Sequence, residues 1–577
     1  MESVSPITLL LLLLCSSPVW GVGVSIDPGN RYQTMEGWGV SVFSFLPRAH
    51  PVYADPDWRK AFVELGLNIL RVPMHKEVLV NASGNLDDPV NLVDDLATNV
   101  ALFDLSIPRM SVSGNLAVWL KQNALEPDRV KISGSPFSPP HWMKLPTYIA
   151  DGEPGAGSPM TSGFVGHTPC KPDVNPMPWL SHYCQTPRTG DSIGGRINPS
   201  PANLTQLARY LAAYVTAWEQ YYGVPFYVIS LQNESTYQNP FDSVSYRKCA
   251  YPPGNEECYW QYADALKAVK DYWTSKGLTV KAMGPHVANV GWAPCNSQGS
   301  PQRLYEQMRF IDAVIAHSDP DLDDFLSFWN SNLYMGTNQH RTRMWAAYYH
   351  GKANVPAEPS CPWERYLDNA WGVGSTGKPL WGSEVGLSPT QNWLEGGVPG
   401  DGAINTGLRI FNAINFANLS AYVYWQLSDA NSTPQGCCLL PYAPEYMANP
   451  LLAKKYASFK HFSRYVRPGA RRISAVFDSN GKPSLGGADE YDTYHSINIS
   501  AFLHETDQRL TIVIFNMRST PYSLDVDLGG VDVGSPYQVY LTTDSVSFER
   551  QADLPVSQGT ISVSVPAYSA VTVTGGR

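Results

Sequence analysis

Val228-Ile-Ser-Leu-Gln-Asn-Glu234 is the stretch on which the fold turns. Its apolar start has the length and β-branched content of a buried strand, and it ends abruptly in polar residues. Just before it, Leu204, Leu207, Leu211, Val215 and Trp218 recur at steps of three and four, which predicts a helix stopping ahead of Gly223 and Pro225. A helix delivered directly into a buried strand is half of a β/α repeat. The same texture recurs along the chain, with strands predicted at 37–43, 67–72, 130–135, 226–231, 278–284, 325–329, 380–383 and 421–426. A second helix, over 260–276, halts at Gly277 and again leads into a strand. This alternation over about residues 37 to 430 is the pattern of an α/β fold of the (β/α)8 TIM-barrel type. A doubly wound open sheet would alternate similarly, but no Gly-rich phosphate loop follows the first strand.

Beyond about Arg471 the texture changes to alternating β-branched and polar residues, with strands predicted at 497–502, 510–515, 522–526, 537–541 and 560–565. Gly, Asp and Pro turns separate them, which predicts a C-terminal β-sandwich side domain. Residues 24–35 precede the first barrel strand and are available to that domain as an extra strand. The expected organisation is a signal peptide over 1–21, an N-terminal segment over 22–36 contributing to the β-domain, a catalytic barrel over 37–469 and the β-domain over 470–577. The leader rests on the apolar run Leu9 to Leu14, too short for a membrane span, followed by small residues, though without a basic start. Residues 145–201, rich in Gly, Pro, Ser and Thr, form a long insertion after the third strand, on the face where barrel sites lie.

A chain of 577 residues is long enough for a barrel and a smaller module. A net charge of -10 and a pI near 5.7 argue against a nucleic-acid or anionic-membrane partner and suit a neutral substrate. Charged residues make up 16% and aromatics 12%, including 17 Trp and 32 Tyr, rings that can stack on sugars or simply fill a core. Eight cysteines remain after Cys15 in the leader, an even number that suggests disulfides in an exported protein. Cys170 with Cys184 and Cys249 with Cys258 are plausible pairs, whereas Cys295, Cys361, Cys437 and Cys438 cannot be paired by sequence. The 12 His show no metal-ligand spacing, and no cofactor is expected. Asn81, Asn203, Asn418, Asn431 and Asn498 are glycosylation sequons, while the sequon at Asn233 overlaps the candidate site.

Two strands end in a carboxylate. Strand four delivers Glu234 to the mouth with Asn233 beside it, and Pro379-Leu-Trp-Gly-Ser-Glu384 ends strand seven. Glycosidic hydrolysis needs one carboxylic acid to protonate the departing oxygen and a second carboxylate as nucleophile or as base for water. An asparagine beside the acid can bind the sugar 2-hydroxyl, a contact that strengthens in the transition state. His286, after strand five, is placed either to bind sugar or to shape the acid's surroundings, with a satisfied structural histidine as the alternative.

These residues sit within motifs that resemble glycoside hydrolase family 30, of the retaining clan A barrels. The matching pieces are Met35-Glu-Gly-Trp-Gly39, Ser135-Pro-Phe-Ser-Pro-Pro-His-Trp-Met-Lys144, Ser230-Leu-Gln-Asn-Glu234, Trp381-Gly-Ser-Glu384, Tyr424-Trp-Gln-Leu427 and Phe462-Ser-Arg-Tyr-Val-Arg-Pro-Gly469. The resemblance implies Glu234 as general acid/base, Glu384 as nucleophile and a side β-domain built from both chain ends. It implies too that Arg71, in Ile69-Leu-Arg-Val-Pro73, holds the nucleophile ionised. Tyr334 would orient the nucleophile, although Asn330-Ser-Asn-Leu-Tyr334 departs from the family form. Trp425 and Trp142 would supply aromatic surface beneath the sugar.

The implied activity is a secreted retaining endo-β-glycanase acting on xylan, β-1,6-glucan or β-1,6-galactan. A glucosylceramidase-type exo-β-glycosidase is the alternative within the family, and a non-catalytic carbohydrate-binding wall protein the alternative of another class. Family members that need glucuronic acid branches use an arginine in the loop after strand eight. Here residues 425–453 contain no Lys or Arg, and Arg188 or Arg196 from the long insertion would have to substitute.

Overall fold

The computed structural model describes residues 20–42, 50–80, 89–145, 196–235, 243–246, 259–287, 306–332, 339–356, 371–386, 390–400, 402–428, 438–478, 483 and 489–576. Eight parallel strands close a barrel: Gly37–Ser41, Ile69–Met74, Lys131–Pro136, Val228–Ser230, Lys281–Val287, Leu326–Asn332, Leu380–Val385 and Leu419–Tyr424. Each pairs with the next in sequence, and the eighth returns to the first, with Ala421 opposite Gly37. All eight lie where apolar runs predicted them, because a parallel strand covered by helices outside and side chains inside must be apolar on both faces. Their ends shift by a few residues, as polar mouth positions carry no strand signal.

The helix predicted from the Leu204 pattern spans Pro201–Tyr222. Ser200 caps it through the Asn203 N–H, and Gly223 closes it at φ 67, a left-handed angle that suits glycine. It buries Leu204, Leu207, Leu211, Val215 and Trp218, the residues that announced it. The next helix, Trp260–Ser275, ends as predicted just before Gly277.

Inside the barrel, Ile69, Val228, Met283, Phe328, Trp381, Ala421 and Val423 form an apolar plug. At the end of the plug away from the mouth, Lys131 pairs with Glu36, and Lys281 donates to the Tyr227 hydroxyl at 2.8 Å. Two residues further toward the mouth on the same strands stand Arg71, Ser230, Asn330 and Ser383, all buried. The interior therefore changes from apolar to polar within one step of the pleat.

All but two of the remaining strands build one nine-stranded sheet. It runs, in neighbour order, Glu549–Arg550, Gln538–Thr542, Ser569–Gly576, Arg509–Asn516, Ile497–His504, Arg471–Phe477, Trp20–Thr34, Tyr522–Asp527 and Thr560–Val565. Residues from both halves, among them Ile512, Leu524, Val563 and Val573, share one apolar core, so the sheet folds over itself. The N-terminal strand pairs antiparallel with Arg471–Phe477 and parallel with Tyr522–Asp527. It begins at Trp20, inside the span expected to be leader.

Where the chain enters the barrel it also leaves it: the Met35 N–H donates to Ala470 O, and the Gly469 N–H to Met35 O, each at 2.8 Å. Gly37, at φ 138, lies so close to Asn68 that a Cβ there would collide with that side chain. Arg467 of the Arg-Pro-Gly junction binds Gly66 O at 2.5 Å and Ser463 O at 3.0 Å, and its other nitrogens hold Glu126. On the facing side His461 lies between Thr572 and Thr542 of the β-domain, at 2.8 and 2.7 Å.

Three sequons are corrected by this packing, because an N-glycan needs a free side-chain amide. Asn203 is buried and donates to Met143 O and Asn198 O. Asn498 is buried and donates to Thr493 O. The Asn418 amide donates to the Tyr349 hydroxyl at 2.7 Å and accepts from Arg472. Asn81 and Asn431 lie outside the described residues. So do the expected leader over 1–19, most of the long insertion and every cysteine but Cys438, which is disulfide-bonded. The expected pairs Cys170–Cys184 and Cys249–Cys258 thus fall outside the description, as do Cys295, Cys361 and Cys437. Of the insertion, Arg196–Ile197 pairs antiparallel with Lys144–Leu145, and Arg188 is not described. Among the described residues no helix is long and apolar enough to cross a membrane.

Candidate active site

The barrel mouth gathers residues from strands one, two, four, five, six and seven. Arg71 is 2% exposed and is held from three sides. Its Nη1 donates to Glu384 Oε2 at 2.6 Å and to Ser41 Oγ at 3.1 Å, and its Nη2 donates to Asn233 Oδ1 at 2.5 Å. The guanidinium also lies 5.7 Å over the Phe137 ring. A fork with fixed geometry is needed to reach a carboxylate and an amide oxygen at once, which lysine does not provide.

Neither glutamate reaches the mouth by the plain pleat of its strand. Along strand seven Trp381 points into the plug and Ser383 takes a bond from Asn330 at 3.0 Å, so simple alternation would turn Glu384 outward. The ladder to strand six slips between Gly382 and Glu384, and this irregularity aims the carboxylate back at Arg71. Glu234 follows the end of strand four at φ 53, and His286 near the end of strand five has φ 50. Left-handed backbone at two non-glycine residues is held only where the surroundings fix it. Here Asn233 N–H donates to Pro136 O at 2.7 Å and Ser235 N–H to His286 O at 2.9 Å.

The two carboxyl groups differ in environment. Glu384 is buried against the Arg71 cation. Glu234 is partly open, and loss of hydration together with the nearby Glu384 charge pushes its pKa up to about 8, against smaller opposing effects of Asn332 and Arg71. One is therefore held as a carboxylic acid at neutral pH beside a charge-paired partner. That is the arrangement by which two like groups take different chemical parts.

His286 is fully buried, so it does not offer its ring to a ligand. Its Nε2 lies 2.7 Å from Asn332 Oδ1, and its Nδ1 3.0 Å from Ser230 Oγ, which in turn meets Ser135 Oγ at 2.8 Å. Burial first and the Arg71 charge second hold its pKa far below the usual imidazole range, leaving the ring uncharged. Of the two expectations for it, shaping the acid's surroundings fits the contacts. Trp142 and Trp425 are half-buried at the mouth, Trp142 packed on the main core and Trp425 donating its backbone N–H to Val385 O at 2.7 Å. Tyr334 lies outside the described residues.

The sequence reading missed Asn332, which donates from Nδ2 to Glu234 Oε1 at 3.0 Å. A signal was present: Phe328, Asn330 and Asn332 alternate on strand six, so once Phe328 is placed inside, both amides must face inward too.

Fold and site together define a (β/α)8 barrel with a paired-carboxylate mouth. No protein-family model matches the chain. It is 21% identical over 397 residues to a glucuronoxylanase, XynC, from Bacillus subtilis (strain 168), covering 68% of this chain and 70% of that protein. Among solved structures, a GH30 endoxylanase from Clostridium papyrosolvens C71 aligns with a TM-score of 0.58 at 17% identity, over 96% of this chain and 100% of that one. The catalytic domain of GH30 xylanase C from Talaromyces cellulolyticus also gives 0.58, at 16% identity, with the same coverage. The endo-β1,6-glucanase BT3312 gives 0.55 at 15% identity, over 96% of this chain and 94% of that one. At such identities the structural likeness shows the fold. Joined with the sequence match, it supports glycoside hydrolase family 30.

Proposed function

We propose that the protein is an exported retaining endo-β-glycanase that hydrolyses a β-linked polysaccharide by double displacement. The observation that carries this reading is the unlike pair: Glu384 bound to Arg71, and Glu234 with its pKa raised by burial and by that same charge. In the first step Glu384 Oε attacks the anomeric carbon while the Glu234 proton passes to the leaving glycosidic oxygen, and a glycosyl ester forms on Glu384. Forming the ester removes the negative charge that had raised the Glu234 pKa. Glu234, now a carboxylate and kept in that form by its lowered pKa, is the general base of the second step: it takes a proton from water as the water oxygen attacks the same carbon and Glu384 leaves.

Asn233 has its Oδ1 on Arg71, which directs its Nδ2 elsewhere, available to the sugar 2-hydroxyl. Trp142 and Trp425 are assigned to sugar stacking. The substrate is drawn from xylan and β-1,6-glucan, the glycans of the similar enzymes, with an endo mode of action following from the same relatives.

Purified protein should release oligosaccharides from one of these glycans, with the β configuration retained by NMR of the first product. Glu384→Gln should fold normally and release none. A 2-deoxy-2-fluoro glycoside of the matching sugar should label Glu384 in the wild-type protein. Inverted product, or label on another carboxylate, would sink the assignment. Tight glycan binding without turnover would favour the carbohydrate-binding alternative.

A further inference from the structure

We propose that Asn332 is a positioning residue for Glu234, its side-chain amide locked by the His286 imidazole so that Nδ2 always faces the Glu234 carboxyl. This rests on the reading of Glu234 as the acid/base. Asn332 is fully buried at the mouth end of strand six, beside Glu384 in the ladder. An amide offers a donor on one side and an acceptor on the other, and either orientation fills the same space. Three contacts remove that freedom. Nδ2 meets Glu234 Oε1 at 3.0 Å, while Oδ1 lies 2.7 Å from His286 Nε2 and 3.4 Å from the Ser383 hydroxyl, which donates to it.

For His286 Nε2 to satisfy Oδ1 it must carry the ring proton. The uncharged ring then needs a donor at Nδ1, which Ser230 Oγ supplies at 3.0 Å, itself in contact with Ser135. The order of donors is thus Ser230 to His286, His286 to Asn332, and Asn332 to Glu234. An amide turned the other way would place two acceptors, Oδ1 and the carboxylate, against each other. The set amide stabilises the charged form of Glu234, the form that acts on water, and opposes the Glu384 charge from strand seven that disfavours it. The other charged group facing the pair among the described residues is Arg71 from strand two, which acts in the same sense as Asn332 on Glu234 and keeps His286 uncharged.

The test is a 13C NMR titration of protein labelled at the glutamate Cδ carbons, with the Glu234 resonance assigned by its loss in Glu234→Gln. Asn332→Ala removes the donor and should move the Glu234 midpoint up by about one to two pH units, the size expected for one hydrogen bond to a charged group. Asn332→Asp keeps the shape and replaces the donor by a second carboxyl, and should raise the midpoint further. His286→Asn, a residue that tolerates the left-handed backbone there, should shift it in the same direction by less. The basic limb of the pH–rate profile on soluble xylan or β-1,6-glucan should move with the NMR midpoint. Unchanged midpoints in both Asn332 variants overturn the proposal, whether or not either glycan is hydrolysed. An unchanged midpoint in His286→Asn, with Asn332→Ala shifted, overturns the locking role of the imidazole. Because the titration needs no substrate, a protein inactive on every glycan would refute the functional reading and leave this result standing.

Discussion

Replacing Arg71 by lysine and by methionine separates its charge from its shape. The guanidinium holds Glu384, Asn233 and Ser41 together from a position with almost no solvent contact. Lysine keeps the charge, but one ammonium on a flexible stem cannot reproduce bonds from two nitrogens diverging toward a carboxylate and an amide oxygen. Loss of one charge-assisted hydrogen bond costs about 1.5–3 kcal/mol, and each 1.36 kcal/mol is tenfold in rate, so Arg71→Lys should lower kcat/KM by about 10- to 150-fold. Methionine fills similar space without charge and strips a buried carboxylate of its partner. Breaking such a pair costs about 3–5 kcal/mol, equivalent to about 10²- to 10⁴-fold, and Glu384 would take up a proton and cease to be a nucleophile. The assay is kcat/KM on whichever of soluble xylan and β-1,6-glucan the wild-type protein cleaves, with thermal melting alongside to establish that each variant is folded. Wild-type kcat/KM in a folded Arg71→Lys would refute the need for two diverging nitrogens, one on Glu384 and one on Asn233. Equal losses in the two variants would refute the separate contribution of charge.

Three further outcomes are expected. The Glu234 carboxyl binds its proton more tightly folded than unfolded, so its contribution to stability is complete below about pH 4.5 and is lost as pH rises through about 8. Urea denaturation should therefore find Glu234→Gln gaining on the wild type between those values, and parallel pH curves would contradict the raised pKa. His461 behaves in the opposite sense. It is buried between Thr542 and Thr572, with its pKa pushed down to about 3 by burial, so the unfolded chain binds one more proton between pH 3 and 6.5 and stability falls on acidification by up to about 1.4 kcal/mol per pH unit. His461→Leu should flatten that slope, and a slope equal to wild type would remove His461 as its source. A 2-deoxy-2-fluoro glycoside should inactivate the wild type and Asn332→Ala but leave Glu384→Gln unlabelled by mass spectrometry.

Much of the architecture was legible because burial is written in apolar runs. The Leu204 to Trp218 stripe and its stop at Gly223 located a helix, and 380–383 or 226–231 located strands, since these segments must satisfy packing on every side. The strand Ser569–Gly576 escaped notice because its buried Val571 and Val573 alternate with Ser, Thr and Gly, residues that also make turns. In the site, Glu234, Glu384 and Asn233 could be found because each follows or ends an apolar run, whereas Arg71, in the middle of its strand, was implied only by the family resemblance. How the glutamates are turned inward could not be read, since a ladder slip at Ser383 and a left-handed Glu234 depend on neighbouring strands rather than on local composition. Asn332, Ser230 and Ser135 were obscured for a related reason: small polar residues inside a barrel are sustained by one another, and a linear sequence does not show which will meet.

The pairing of Trp20–Thr34 with Arg471–Phe477 and Tyr522–Asp527 makes the barrel an insertion within the β-domain. During synthesis the first strand emerges long before either neighbour exists. Until the ribosome has delivered the last fifth of the chain, a long strand carries unpaired backbone on both edges, a template for pairing between nascent chains. The barrel and the β-domain are accordingly finished together, and a product truncated after the barrel would retain that open strand instead of a self-sufficient catalytic unit.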